Sequence, residues 1–174
     1  MLEIPSYFEK LITADQLAAR VHELGAQLSK DYEDRKPHFV GVLRGATTFL
    51  ADLVRAMDIE LSYDFIAVAS YEGTASSGQV RLVKDLDESV ESRHVIVIED
   101  ILDSGLTLNY IREMLQQRKV ASLALCALLD RPHRRELKMD LDYVGFQIPD
   151  KFVVGYGLDF EQRWRQLPDV WAIN

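Results

Sequence analysis

Cysteine is nearly absent from this chain of 174 residues. The single Cys126 excludes an internal disulfide and fits a reducing compartment such as the cytoplasm. It lies in the apolar run 123–129, where a small buried core residue is expected rather than a nucleophile. Paired CxxC and HExxH patterns are missing, so neither a structural nor a catalytic zinc is expected. The four histidines, His22, His38, His94 and His133, are scattered and read as surface or boundary positions. Gly73 and Gly78 have the glycine spacing of a phosphate-cradling P-loop, but Gln79 and Val80 stand where that loop needs Lys and Ser/Thr. Basic excess is lacking too. Twenty Lys and Arg face 28 Asp and Glu, a net charge of −8, which disfavours nonspecific binding to nucleic acid. No run approaches the ~18 apolar residues of a membrane-crossing helix. The first five residues lack the basic start and apolar core of a signal peptide. No repeat or low-complexity tail is visible.

What is present is an ordinary globular composition, 48% hydrophobic and 28% charged. The length fits one domain, residues 1–174, able to bury roughly 70% of its unfolded surface without a staple. Thr13-Ala14-Asp15-Gln16 reads as a capping box opening a helix with Leu17, Val21, Leu24 and Leu28 on one face. Residues 39–43 form a first buried strand, and Phe49, Leu50, Leu53, Val54 and Met57 mark the next helix. A strand over 61–70 and a polar loop over 72–79 lead to a strand resuming at 80–83, the two pairing as a hairpin. The apolar segment 95–98 and a helix ending near Lys119 follow, then a buried strand over 120–129. Two short strands, 143–146 and 152–155, flank Pro149-Asp150. Strands alternating with helices predict a doubly wound, mainly parallel α/β sheet. The more irregular ends, about 1–12 and 143–174, are expected to cap its carboxyl edge.

The densest chemistry lies in residues 95–108, VIVIEDILDSGLTL. Four apolar β-formers make a strand buried on both faces. Glu99 and Asp100 sit at its end, where ligands of open α/β sheets bind. Asp103-Ser104-Gly105-Leu106-Thr107 then turns into a helix whose free N–H groups and positive dipole end suit a phosphate. Helix capping alone would also explain Ser104 and Thr107. Two carboxylates repel a bare phosphate, so Glu99 and Asp100 require ribose hydroxyls or a hard cation such as magnesium.

Two acids followed by Asp-Ser-Gly-x-Thr after a hydrophobic strand resemble the phosphoribosyl pyrophosphate (PRPP) signature of type I phosphoribosyltransferases. The strings VLRGA at 42–46, Ser70-Tyr71, LLDRP at 128–132 and VGFQIPDKFVVGYGLD at 144–159 follow in the order of the hypoxanthine-guanine phosphoribosyltransferase family. The resemblance covers nearly the whole chain. It implies purine salvage: transfer of a phosphoribosyl group from PRPP to hypoxanthine or guanine, giving IMP or GMP and pyrophosphate, with Mg2+. It assigns Glu99, Asp100, Asp103, Ser104, Gly105, Leu106 and Thr107 to PRPP, and Asp103 to the purine proton. Arg44 and Gly45, through a backbone loop with a cis peptide, bind pyrophosphate with Lys151 and Arg165; family spacing selects Arg165 over Arg163. Phe152 stacks on the purine, and backbone around Val153 reads its edge. Asp159 joins Glu99 and Asp100 as a magnesium ligand. Ser70 and Tyr71 belong to a lid. Arg44 and Arg131 stand where relatives carry lysine, and the planar fork of Arg131 is not equivalent to an ammonium as donor to the purine oxygen. The resemblance further implies a cytoplasmic homodimer or homotetramer with no nucleic-acid or membrane partner. Two alternatives share the fold: a regulatory protein binding nucleotide or RNA, and a xanthine-preferring transferase.

Overall fold

The structure is a computed structural model describing residues 3–70 and 80–174. Tyr71 and the polar loop 72–79 of the expected lid lie outside the described residues. The main sheet contains β2 (His38–Leu43), β3 (Ser62–Ser70), β4 (Val80–Lys84), β5 (His94–Leu102), β6 (Ser122–Asp130) and β7 (Tyr143–Gln147). Its order is β4-β3-β2-β5-β6-β7. All neighbours are parallel except β3 and β4, which pair as the expected hairpin, with Ser70 opposite Val80.

Helices cover both faces. Helix α1 (Ala14–Asp31) starts from the expected capping box: the Thr13 hydroxyl accepts from Gln16 N–H at 3.2 Å, and Gln16 Oε1 accepts from Thr13 N–H at 2.9 Å. With α2 (Ala46–Arg55) it packs on one face through Leu17, Leu24, Leu28, Phe49 and Leu53, meeting Phe39, Ile96, Ile98, Cys126 and Leu128. Helix α3 (Leu106–Gln117) covers the other with Leu108, Ile111 and Leu115, meeting Val40, Val42, Val95, Val97 and Leu125. Successive residues of β5 thus feed opposite cores, which is why 95–98 is apolar at every position. Cys126 is buried, and burial pushes its thiol up to about 12, so it stays an inert thiol in the core.

A second, three-stranded antiparallel sheet, order β1-β9-β8, joins β1 (Phe8–Ile12), β9 (Val170–Ile173) and β8 (Phe152–Val154). Its Ile12, Val153, Val170 and Ala172 belong to the same core cluster as α1 and α2. Two sequence expectations change here. The ends are not wholly irregular, since they contribute β1, β8 and β9. Residues 143–147 are the outer strand of the main sheet, so the cap starts beyond β7. Arg20 of α1 anchors that strand by donating to the Val144 and Gly145 carbonyls at 2.7 and 3.0 Å.

Candidate active site

Parallel β2, β5 and β6 end at one edge, as the pairing of Leu102 with Asp130 requires. That edge carries Arg44-Gly45 after β2, Glu99 to Thr107 at β5 and α3, and Arg131 after β6. Two adjoining cavities open there. One, about 150 Å³, is lined by Glu99 to Gly105 with Thr107 and Leu108. The other, about 250 Å³, is lined by Asp100, Ile101, Asp103, Arg131, Phe152, Val153, Leu158 and Asp159. They share Asp100, Ile101 and Asp103. A larger hollow of about 610 Å³ between α1, α2 and 165–168 includes Arg165 but none of the acidic motif.

The smaller cavity joins three carboxylates to the start of α3. Gly105 adopts φ +88°, open to glycine at little cost, and turns the chain so that the first N–H groups of α3 face the loop. The Ser104 hydroxyl accepts from Leu106 N–H at 3.3 Å. The Ser104 carbonyl accepts from Glu136 and Leu137 N–H at 3.0 and 3.2 Å, a brace from the 131–137 segment that no sequence pattern announces.

Glu99 is buried, and its Oε2 has no hydrogen-bond partner. Burial, then the neighbouring Asp100 carboxylate, raises its pKa well above the ordinary carboxylate range. Burial also raises Asp100, against a hydrogen bond with Glu99, the Ile101 N–H and the charge of Arg165. Unfolded, Glu99 would titrate near its model-peptide value of about 4.3. Between that value and its folded one the native protein retains a proton the unfolded chain has released. Stability therefore declines as pH rises through that window and levels off above it. Glu99→Gln should remove this slope, so its Tm advantage over the parent grows from acid toward neutral pH. Parallel Tm curves from pH 4.5 to 8 would refute it.

The larger cavity brings an aromatic ring, apolar side chains and a guanidinium together. Phe152 is about half exposed at 49% and Val153 is buried beside it. Ile101 and Leu158 are further lining residues, apolar positions that no sequence signal separated from core. Arg131 is buried, and each of its three guanidinium nitrogens donates once, which leaves one N–H on Nη1 and one on Nη2. Its Nε and Nη2 donate to the two Asp103 carboxylate oxygens at 3.2 and 2.5 Å, and Nη1 donates to the Lys151 carbonyl at 2.6 Å.

The basic residues divide. The peptide between Leu43 and Arg44 is cis, as the resemblance implies. Arg165 Nη2 lies 2.6 Å from Asp159 Oδ1, and Nη1 donates to the Gly157 carbonyl at 2.7 Å. Arg163 instead pairs with Glu161. Gln162 Oε1 accepts from both Arg44 and Arg165. Lys151 is not gathered with these arginines: its ammonium pairs with Glu9 of β1. Gly45 touches the acidic pair, since a Cβ there would lie 1.5 Å from Asp100 Oδ2.

Among the described residues, no three His, Cys, Asp or Glu side chains form a ready metal cage. Magnesium arriving with a diphosphate needs only one or two protein carboxylates, the rest being phosphate oxygens and water. Asp100 and Asp159 line one cavity and Glu99 carries an unpartnered buried oxygen, a carboxylate set that fits that demand.

A family model described as a phosphoribosyl transferase domain matches residues 10–161. The chain is 51% identical over 159 residues to the bifunctional protein TilS/HprT of Listeria monocytogenes. That match covers 91% of this chain and 24% of the relative, so the chain spans about a quarter of that protein's length. It is 49% identical over 165 residues to a hypoxanthine-guanine phosphoribosyltransferase of Bacillus subtilis, covering 94% and 92% of the two chains. A crystal structure of a hypoxanthine phosphoribosyltransferase from Staphylococcus aureus is similar with a TM-score of 0.91 at 46% identity, covering 95% of this chain and 91% of that one.

Proposed function

The chain belongs to the phosphoribosyltransferase family, and from that premise we propose that it transfers the 5-phosphoribosyl group of PRPP to hypoxanthine or guanine, yielding IMP or GMP and pyrophosphate. The observation that carries the reading is the pair of adjoining cavities sharing Asp100, Ile101 and Asp103. A phosphate seats on the 103–107 loop, and the ribose hydroxyls face Glu99 and Asp100. A purine enters between Phe152 and Ile101, with Val153 backbone at its edge. The reacting carbon then lies where the cavities meet, which converts an encounter of two substrates into a positioned one.

In the transfer, the bond from the ribose carbon to the diphosphate oxygen breaks and a bond to the purine nitrogen forms. Asp103 accepts the purine proton as general base. Arg44, Arg165 and the Gly45 backbone hold the departing diphosphate. Magnesium, when bound with it, supplies charge neutralisation at Asp159 and the acidic pair. Arg131 presents donors to an exocyclic oxygen, which favours hypoxanthine and guanine over adenine, whose amino group would leave them unpaired. Family membership also leads us to place the protein in the cytoplasm as a homodimer or homotetramer, with residues 1–174 acting as one catalytic unit. No helix among the described residues is long and apolar enough to cross a membrane.

The test is PRPP- and magnesium-dependent nucleotide formation from hypoxanthine, guanine, xanthine and adenine side by side. Turnover of the first two, with adenine slower by at least about a hundredfold, is the expected result. Preference for xanthine would correct the substrate. Tight PRPP binding without turnover of any base would favour a regulatory protein on this fold.

A further inference from the structure

Chain reversal after Asp159 is unusual. Phe160 and Arg163 exchange backbone hydrogen bonds at 3.1 and 3.0 Å, and the two residues between them have left-handed backbone, Glu161 at φ 52° and Gln162 at φ 64°. Positive φ at both centres is the pattern of a type I′ turn, which Gly, Asn and Asp dominate. Glu and Gln adopt it at a steric cost, and such strain persists where surrounding structure over-determines it, often at functional sites.

Here the turn fixes one side chain between two cations. Gln162 N–H donates to Asp159 Oδ2 at 2.8 Å, anchoring the residue to the proposed magnesium carboxylate. Its Oε1 accepts from Arg44 Nη1 at 3.0 Å and Arg165 Nη2 at 3.3 Å. Arg165 is independently held by Asp159 and the Gly157 carbonyl. Among the described residues, no other side chain accepts from the guanidinium of Arg44, the residue that follows β2.

We propose that Gln162 is a positioning residue for the diphosphate: its amide oxygen aims Arg44 and Arg165 at a single point, where an incoming diphosphate oxygen takes its place. The proposal rests on the transferase reading. A neutral amide suits the task, because bonds from guanidinium to phosphate are roughly twice as strong as neutral ones. The diphosphate displaces the amide without having to order a free Arg44.

Gln162→Gly tests this cleanly. Glycine relieves the positive φ and keeps the backbone N–H on Asp159, so the variant should fold with Tm unchanged or raised. What it deletes is the shared acceptor. The KM for PRPP should rise roughly two- to tenfold, the ordering cost of one long side chain. kcat and the KM for hypoxanthine should stay within about twofold, since only the cost of ordering Arg44 has changed. Titration with inorganic pyrophosphate and magnesium should show Kd weakened by the same factor. An unchanged KM and Kd would leave Gln162 only a turn residue and overturn the proposal. A lowered Tm with kcat and both KM values altered together would also overturn it, as a purely structural effect. If the parent protein turns over no base, the transferase reading fails by itself, and the pyrophosphate titration still decides what Gln162 does.

Discussion

Asp103→Asn should lower turnover about 10²- to 10⁴-fold, the usual worth of a positioned general base, and leave PRPP affinity nearly intact. Asp103 stands where the two cavities meet, with its side chain 41% exposed, so a purine can reach it. Its carboxylate oxygens both accept from Arg131 in the folded protein. Asparagine keeps the volume but has one acceptor and an NH₂ that would face a guanidinium donor. It cannot take a proton, nor can it hold the fork at two points. The loop proposed to bind phosphate does not depend on that fork, because Glu136 and Leu137 N–H hold the Ser104 carbonyl. Stopped assays for kcat with PRPP titration for affinity separate the two effects. Near-normal turnover would remove Asp103 as the base. Turnover and PRPP affinity lost together would show that the loop itself had moved.

Asp103 was readable because its surroundings are local. Within residues 95–108 the chain supplies a strand buried on both faces, two acids at its end, and a glycine turn into a helix. Each has a chemical meaning that needs no distant partner. The central strands were legible for a related reason: β2, β5 and β6 are buried on both faces, and a short unbroken apolar run is what a strand between two helical layers requires. The strands of the small sheet offered no such mark. In β1, Phe8-Glu9-Lys10-Leu11-Ile12 lacks clean alternation, because its register slips between Lys10 and Ile12. Its partner β9 comes from the opposite end of the chain. Strand β7 is an edge of the main sheet with partly buried residues, a pattern that also fits a cap.

Side-chain destinations were harder still. Lys151 sits in a string that implies pyrophosphate, yet its ammonium meets Glu9 from a strand not visible in the sequence. Gln162 stands in the polar stretch 161–163, without the Gly, Asn or Asp that would announce a tight turn. Its convergence with Arg44 depends on β2 and the 159–165 segment arriving at one edge, which no local pattern encodes. Arg131 lines the cavity proposed for the purine. That its fork also holds Asp103 and the Lys151 carbonyl depends on three distant segments meeting.

Gly45→Ala is expected to raise the PRPP KM at least about tenfold and lower Tm by roughly 3–10 °C, from an overpacking cost of about 1–3 kcal/mol in a chain of this size. A Cβ on Gly45 would lie 1.5 Å from Asp100 Oδ2 and 2.5 Å from its Cγ. One of the two must move. Asp100 has little freedom, for its Oδ1 accepts from Ile101 N–H at 2.7 Å and Glu99 is buried beside it. Rotating the carboxylate breaks that bond and takes it from the position proposed to face the ribose. Moving Gly45 instead shifts the loop proposed to hold the diphosphate. Either response costs PRPP affinity, but only a clash predicts the pairing with Asp100. Adding Asp100→Ala should therefore restore most of the Tm lost to Gly45→Ala, although PRPP use stays impaired. The stability effects of the two changes would then be non-additive, as expected for residues in direct contact. If the double variant loses as much Tm as the two single variants combined, the clash is not what makes glycine necessary at position 45.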